Sequence, residues 1–461
     1  MESFDLIVIG SGPGGEKAAM QAAKLNKSVL MVERGNQPGG ACMHTGTIPS
    51  KTLRESVRFL SMVRQRSVYG ISVHQDENLT VNSLMYRKRG AIGSLVERLE
   101  GNFERNGVRY IHGHARFVDP HVIEVTGGAG KQEMYRGDHL IIATGSRPYR
   151  PDFVDFSDPR VLDADTVLNM QHIPKSITII GAGVIGCEYA TIFSNLGVKV
   201  NLVNPRQVLL DFLDQEISNA LDYLMRDRGV RIRLSEVLEA VDTDDESISA
   251  YLESGKVLKS EFLLYANGRT GNTEDLGLEK LGIPVNSRKQ IKVNRHFQVA
   301  EHPHIYAVGD VIGFPSLAAA AMDQGRLAAK HAFKGGSETL DTNLMPTGIY
   351  TIPEISFVGA TEEQLTRDKI PYEVGSSSYK EIARGQIMGN TTGRLKLLFH
   401  RQNLKLLGVH ILGDEATDLI HVGQAVLSFG GTIEYFFDRV LNYPTFSECY
   451  RVAALNGYNR L

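Results

Sequence analysis

Asp5-Leu6-Ile7-Val8-Ile9-Gly10-Ser11-Gly12-Pro13-Gly14-Gly15-Glu16 and Ser176-Ile177-Thr178-Ile179-Ile180-Gly181-Ala182-Gly183-Val184-Ile185-Gly186 read alike. Each is an apolar, β-branched run of strand length that ends in G-x-G-x-x-G. Each continues into a helical pattern, over residues 17–25 and 187–196, and returns to a strand pattern, over residues 28–32 and 198–203. That is a βαβ unit written twice. With a strand before and a helix after, the glycines acquire separate tasks: Gly10 and Gly181 make the tight turn, Gly12 and Gly183 let backbone approach a pyrophosphate, and Gly15 and Gly186 let helix pack on strand. Gly14, Val184 and Ile185 complete the two anion-facing turns. The fold expected is α/β, with two doubly wound, Rossmann-like nucleotide-binding domains.

Such a unit places an acid about 20 residues on, where it bonds ribose hydroxyls. Glu33, followed by Arg34, lies 23 residues beyond Gly10 and suits the unphosphorylated ribose of FAD or NAD. The same 23-residue offset from Gly181 falls on Asn204, with Arg206 two positions further. A carboxylate there would repel a ribose 2′-phosphate; asparagine does not, and Arg206 can pair with one. The second site is therefore expected to take NADP and also NAD. The plainer alternative is that Asn204 only ends the strand and Arg206 points to solvent.

The chain has 461 residues, for which length alone suggests about three domains. With 50 basic and 53 acidic residues the net charge is −3, which argues against nucleic-acid binding by bulk positive charge. Three cysteines, Cys42, Cys187 and Cys449, exclude a disulfide-built secreted scaffold. Neither a signal peptide nor a membrane-spanning run is evident, so a cytoplasmic location is expected, without a membrane partner. Fourteen histidines show no metal-ligand spacing, and no metal is expected. Residues 52–105 read as polar-faced helix, with Arg54, Arg58, Arg64 and Arg66 forming a basic face expected to be solvated. From Met345 onward strands followed by helix suggest a separate C-terminal domain.

Gly39-Gly40-Ala41-Cys42-Met43-His44-Thr45-Gly46-Thr47-Ile48-Pro49-Ser50-Lys51 resembles the redox loop of the flavoprotein disulfide reductases, a family that includes glutathione reductase, lipoamide dehydrogenase and mercuric reductase. Three further stretches resemble the family in order: Ile141-Ile142-Ala143-Thr144-Gly145-Ser146-Arg147-Pro148, Ala266-Asn267-Gly268-Arg269-Thr270-Gly271-Asn272-Thr273, and Ile305-Tyr306-Ala307-Val308-Gly309-Asp310. The resemblance covers nearly the whole chain. It implies FAD bound around the first fingerprint, with Gly39, Gly40, Cys42, Thr47, Thr144, Gly145, Gly309 and Asp310 among its contacts. It also implies a nicotinamide nucleotide at the second, whose domain ends at Gly268. A discontinuous FAD-binding domain over 1–150 and 274–345, an NAD(P)-binding domain over 151–273, and an α+β interface domain over 346–461 are implied, together with a homodimer or higher homo-oligomer. Lys51 and Glu188 match family positions that form an ion pair beside the reactive edge of the flavin, and both are the expected catalytic residues.

The departures from the family are as informative. The second redox cysteine is Thr47, and the C-terminal catalytic histidine is Tyr443, although its acid, Glu448, remains. A dithiol relay needs two sulfurs and a base, so disulfide substrates are not expected. The single cysteine, the stretch Thr47 to Lys51 and the ending Asn442-Tyr443-Pro444-Thr445 resemble the family's transhydrogenase branch. That resemblance implies hydride transfer between NADPH and NAD through FAD, with both nucleotides using one site in turn. Cys42 and Cys187 are then expected to be packing residues. Two other functions fit the same motifs: an NAD(P)H oxidase or quinone diaphorase, and a flavin-binding structural protein whose active site has decayed.

Overall fold

The computed structural model describes residues 1–64 and 80–461. Its first sheet has eight strands, along the path Gln298–Val299, His302–Ala307, Gln132–Ile142, Glu2–Ile9, Val29–Glu33 and Arg109–His112, with the hairpin His114–Asp119 and Val122–Thr126 joined to the Gln132–Ile142 strand. Glu2–Ile9 lies between two parallel neighbours, Leu6 pairing with both Val29 and His139. A strand covered on both faces needs apolar residues at every position, and Leu6, Ile7, Val8 and Ile9 meet this. Leu6 and Val8 pack in the core that includes Ala18, Ala22 and Leu327; Ile7 and Ile9 pack in the core that includes Phe117 and Ile123. The helices Pro13–Ala23 and Ala318–Lys334 cross closely because Gly325 has no side chain: a Cβ there would lie 1.9 Å from the carbonyl of Gly14.

The second sheet is parallel throughout, in the order Arg231–Leu234, Lys199–Asn204, Ser176–Ile180, Phe262–Tyr265 and Val161–Asp163. One face carries the helices Val184–Asn195 and Gln215–Asp227; the other is covered by the antiparallel strands Leu238–Thr243, Ile248–Leu252 and Val257–Ser260. The third sheet is antiparallel, in the order Thr347–Ile349, Ile355–Gly359, Leu406–Leu412, Arg394–His400 and Tyr372–Ser378. The helices Ala416–Ser428 and Glu448–Tyr458 pack on it. The architecture is thus the expected α/β pair, a mixed sheet with a parallel centre and a wholly parallel sheet, followed by an α+β unit. No helix among the described residues is long and apolar enough to cross a membrane.

The basic helix face departs from expectation. Arg54, on the helix Thr47–Arg64, is 1% exposed; its Nη1 lies 3.0 Å from Glu354 Oε1, and its Nε and Nη2 donate to the Thr351 carbonyl at 3.3 and 3.2 Å. Arg58 Nη2 lies 3.0 Å from Asp414 Oδ2. This face is covered because the C-terminal unit supplies carboxylates to meet it. The side chain of Arg64 and all of Arg66 lie outside the described residues. A second tie joins the second sheet's unit to the C-terminal unit: the fully buried Lys396 ammonium bonds Asp214 at 2.8 Å, Glu216 at 3.0 Å and Glu362. Those three carboxylates are the one group with metal-like spacing among the described residues; the Lys396 ammonium sits among them, and Arg394 adds a second positive charge at Glu216.

Removing one partner of a buried pair costs about 3–5 kcal/mol, because the other charge stays buried and uncompensated. Arg54 keeps its contact with the half-exposed Glu55, so Glu354→Ala is expected to lower stability by an amount near the bottom of that range in urea unfolding, against a negligible change for the exposed Glu239→Ala. Equal midpoints for the two variants would show that Arg54 finds its compensation elsewhere.

Candidate functional site

The strand Glu2–Ile9 stops at Gly10, whose φ of 102° is left-handed and whose Cβ, if it had one, would sit 2.4 Å from the Ala143 carbonyl. The next helix starts at Gly12 with no side-chain cap, and Pro13 occupies its first turn. The opening N–H groups are therefore left for a ligand. A Cβ on Gly12 would meet nothing within 4 Å, whereas one on Gly15 would lie 1.9 Å from the Gly10 carbonyl. The turn is open on the side where an anion approaches and closed on the side where helix meets strand. Glu33 ends the second strand, 8% exposed. Its Oε2 accepts from Ser11 N at 2.8 Å and Ser11 Oγ at 2.6 Å, and its Oε1 accepts from Gly35 N at 2.7 Å. Ser11, between the two first glycines, was not expected at the site; its hydroxyl, next to backbone that must stay open, is the signal for it.

The second turn repeats this geometry. Gly181 has φ 103°, a Cβ on Gly186 would lie 1.8 Å from the Gly181 carbonyl, and the helix Val184–Asn195 starts at Gly183 uncapped. The position equivalent to Glu33 behaves differently. Asn204, 6% exposed, donates through Nδ2 to the Val208 carbonyl at 2.8 Å, so its amide shapes the loop that follows. Arg206 is largely exposed on that loop and pairs with Asp211. Leu210 N donates to the Ala182 carbonyl at 3.3 Å, tying the loop back to the glycine turn.

A cavity of about 1280 Å³ runs from the first turn to the start of the second helix. Of the expected residues it is lined by Gly10, Gly12, Gly14, Glu33, Arg34, Gly40, Cys42, Thr47, Lys51, Thr144, Gly145, Val184, Ile185, Glu188, Gly309 and Asp310. Gly15, Gly39, Gly181, Gly183, Gly186, Asn204, Arg206 and Gly268 lie off its lining. A volume above the usual span of about 300–1,000 Å³ for small-ligand pockets, open glycine turns and uncapped helix starts fit an extended dinucleotide. At its centre Lys51 Nζ lies 2.7 Å from Glu188 Oε2, across 137 positions of sequence, and Glu188 Oε1 accepts from Tyr350 N at 2.8 Å. Asp310 Oδ2 accepts from Ser146 Oγ at 2.8 Å, and Ser146 Oγ accepts from Arg269 Nε at 2.8 Å. Arg269 also lies 3.9 Å from Asp165, whose carboxyl is raised by burial and only partly relieved by that guanidinium.

Cys42 stands on the cavity wall half-buried, rather than buried as a packing residue; Cys187 is fully buried. Burial pushes the Cys42 thiol up, and the Thr47 hydroxyl and Lys51 offset this only in part. Tyr443 is 69% exposed, and Glu448 Oε2 is buried with no hydrogen-bond partner.

Residues 4–325 match the family described as pyridine nucleotide-disulphide oxidoreductase, and residues 345–454 match its dimerisation domain. The chain belongs to the pyridine nucleotide-disulphide oxidoreductase family. Within it, the chain is 50% identical to the soluble pyridine nucleotide transhydrogenase of Mycobacterium tuberculosis (strain ATCC 25177 / H37Ra), over 100% of this chain and 98% of the relative. It is 49% identical to the protein of the same name from Vibrio parahaemolyticus, over 99% and 98%. Among solved structures, the Cu(II) complex of the HOCl-induced flavoprotein disulfide reductase RclA from Escherichia coli superposes with a TM-score of 0.88 at 26% identity, covering 99% of each chain. LpdA from Mycobacterium tuberculosis, at 23% identity and a TM-score of 0.91 over 99% of each chain, shares the fold.

A thiol raised above its ordinary value is neutral at neutral pH and becomes a thiolate only at higher pH. Cys42→Ser is therefore expected to retain most of the turnover, with a pH profile superimposable on wild type between about pH 6 and 9. Loss of nearly all turnover with the flavin still bound would assign Cys42 a redox role.

Proposed function

We propose that this protein transfers hydride between NADPH and NAD with FAD as its bound cofactor. The observation that carries this reading is the single cavity that joins the first glycine turn to the head of the second fingerprint helix, with Lys51 and Glu188 between them. Bound FAD supplies the hydride acceptor and donor. Gly10, Gly12, Gly14 and Gly15 leave room and free N–H groups for its pyrophosphate, and Glu33 holds its adenosine ribose after yielding its present bonds to Ser11. Gly40, Cys42, Thr47, Thr144, Gly145, Gly309 and Asp310 line the rest of its path, Gly39 backs it by donating from N to Ser11 Oγ at 3.1 Å, and Arg34 borders the adenosine end. In this reading 1–150 with 274–345 forms the FAD-binding domain, 151–273 the NAD(P)-binding domain, closing at Gly268, and 346–461 the dimerisation domain. The dimerisation domain supports a homodimer. Relatives named as soluble enzymes and cofactors of central metabolism support a cytoplasmic location.

One fingerprint remains for two nicotinamide nucleotides. Gly181, Gly183, Val184, Ile185 and Gly186 receive each in turn, and Lys51, held by Glu188, places a positive charge where the bound cofactor gains negative charge. With a redox disulfide replaced by Cys42 and Thr47, hydride has no thiol path and leaves to the next nucleotide. Asn204 keeps the loop in register without a carboxylate to repel a 2′-phosphate, and Arg206 reaches that phosphate by leaving Asp211.

Steady-state kinetics with both nucleotides varied is expected to give parallel double-reciprocal lines, with denaturation releasing FAD. Intersecting lines would require two nicotinamide nucleotides bound at once and would overturn the one-site reading. Rapid oxygen or quinone reduction by NADPH without transfer to NAD would instead identify a diaphorase.

Arg206→Ala is expected to weaken NADPH use and spare NADH. A hydrogen bond to a charged group is worth about 1.5–3 kcal/mol, which corresponds to roughly a 10- to 150-fold loss in kcat/KM. Breaking the exposed pair with Asp211 costs at most about 1 kcal/mol, so the loss should sit near the lower end. Equal losses for both nucleotides would place the selectivity elsewhere.

A further inference from the structure

We propose that Tyr350 is the positioning residue of the hydride-transfer site: through its ring and its backbone N–H it fixes both members of the Lys51–Glu188 pair from the C-terminal unit. The inference rests on the reading of Lys51 as the cation beside the flavin.

A lysine ammonium on a four-carbon stem has three rotatable donors, and one ion pair leaves it free to swing. Lys51 is 24% exposed on its side chain and makes one ion pair. What restricts it further is the Tyr350 ring, whose centroid lies 4.9 Å from Lys51 Nζ. A cation over an aromatic face at that distance is attracted by the ring quadrupole. The same residue holds the acid. Glu188 Oε1 accepts from Tyr350 N at 2.8 Å while Oε2 takes Lys51 at 2.7 Å, so each carboxylate oxygen is committed and the carboxylate cannot rotate away from the lysine. One residue thereby sets the direction of both charges.

Tyr350 is itself fixed. Its partly buried hydroxyl is turned to the Thr417 side chain. Thr417 donates from N and Oγ1 to Glu354 Oε2 at 3.1 and 2.8 Å. Glu354 Oε1 meets Arg54 at 3.0 Å, and Arg54 stands three positions after Lys51 on the same helix. The path from Lys51 through Tyr350, Thr417, Glu354 and Arg54 therefore closes on itself. Tyr350, Thr417, Lys51 and Glu188 all line the cavity. A tyrosine that merely walled the cavity would need neither the stacking distance nor the amide on Glu188.

The experiment compares holoenzyme variants Tyr350→Leu, Tyr350→Phe, Tyr350→Met, Lys51→Met and the double variant Tyr350→Leu/Lys51→Met, each with its flavin content verified. The midpoint potential of the bound flavin and the stopped-flow rate of its reduction by NADPH are read in each. Lys51→Met is expected to lower the potential, because a positive charge favours the more negative form of the cofactor. Tyr350→Leu is expected to lower it in the same direction and to slow reduction by roughly 3- to 30-fold, the range a partly desolvated cation–π contact covers, with KM for NADPH little changed. Tyr350→Phe keeps the ring but loses the hydroxyl's contact with Thr417, so its potential and rate should fall between those of wild type and Tyr350→Leu. The double variant should be no worse than Lys51→Met, since the two act as one unit. Tyr350→Met keeps the volume without the ring; if Tyr350→Leu fails to fold, it carries the same expectation. A wild-type potential in Tyr350→Leu and Tyr350→Met, beside a shifted one in Lys51→Met, overturns the inference and leaves the function standing. An unshifted Lys51→Met removes Lys51 from the flavin and overturns both the inference and that role.

Discussion

A carboxylate that is 5% exposed must be paired, and Glu188 meets that demand with one group from each neighbouring unit. It stands on the helix that follows the second glycine turn. It takes Lys51 from the helix that follows the Cys42 loop, and the amide of Tyr350 from the strand-end of the C-terminal sheet. Losing either partner would leave charge or a lone pair stranded, so the three units are held in one relation. The buried Arg54–Glu354 pair and the Lys396 cluster repeat the same logic on either side. Three buried or half-buried electrostatic ties thus join the units, and the one at Glu188 sets the direction of charges that face the cavity, as preorganised transfer of charge requires.

The two glycine turns show how one backbone solution is tuned by one side chain. Both put a glycine at a φ near 100°, both start a helix without a cap, and both depend on a glycine whose Cβ would collide with a carbonyl below 2 Å. These features fix where a pyrophosphate can sit but do not choose among dinucleotides. The choice falls to the residue that ends the second strand. Glu33 spends its oxygens on Ser11 and Gly35, groups that a ribose hydroxyl can replace one for one. Asn204 donates to Val208 and shapes a loop that carries Arg206. An acceptor with exchangeable partners suits one tightly held cofactor. A neutral loop-former with a movable arginine nearby suits a site that must bind and release two nucleotides.

Where pattern dictates structure, the sequence was a sufficient guide. The unbroken apolar run Leu6 to Ile9, the glycine spacing and the acid offset each have a local physical cause, and the strands, turns and Glu33 follow from them. The Lys51–Glu188 contact came from family resemblance, since nothing local links residues 137 positions apart. Tyr350 and Arg54 were beyond reach for a related reason. A lone tyrosine carries no periodicity, and an arginine on a polar helix face looks solvated until carboxylates from a remote unit close over it. Cys42 was expected to be buried because unpaired cysteines usually are; its half-exposure comes from the cavity on one side of its short helix, Gly40–His44.

The departures from the dithiol relay sit at both ends of it. Glu448 keeps one oxygen buried without a partner within the single chain. In the resembled family the equivalent acid serves a histidine, and here that position is Tyr443, turned out to solvent in the single chain. Cys42 and Thr47 present the complementary loss, a sulfur with no exchange partner and no thiolate at neutral pH. With base and second sulfur both absent, a hydride that enters through the nicotinamide site has no exit by thiol chemistry. In the proposed reading the hydride leaves by the way it came, to a second nucleotide at the same turn. The selectivity problem that such a shared exit creates is one that the proposed roles of Asn204 and Arg206 would answer: a site that repelled the 2′-phosphate would stop half the reaction, and one that held it too firmly would stop the other half.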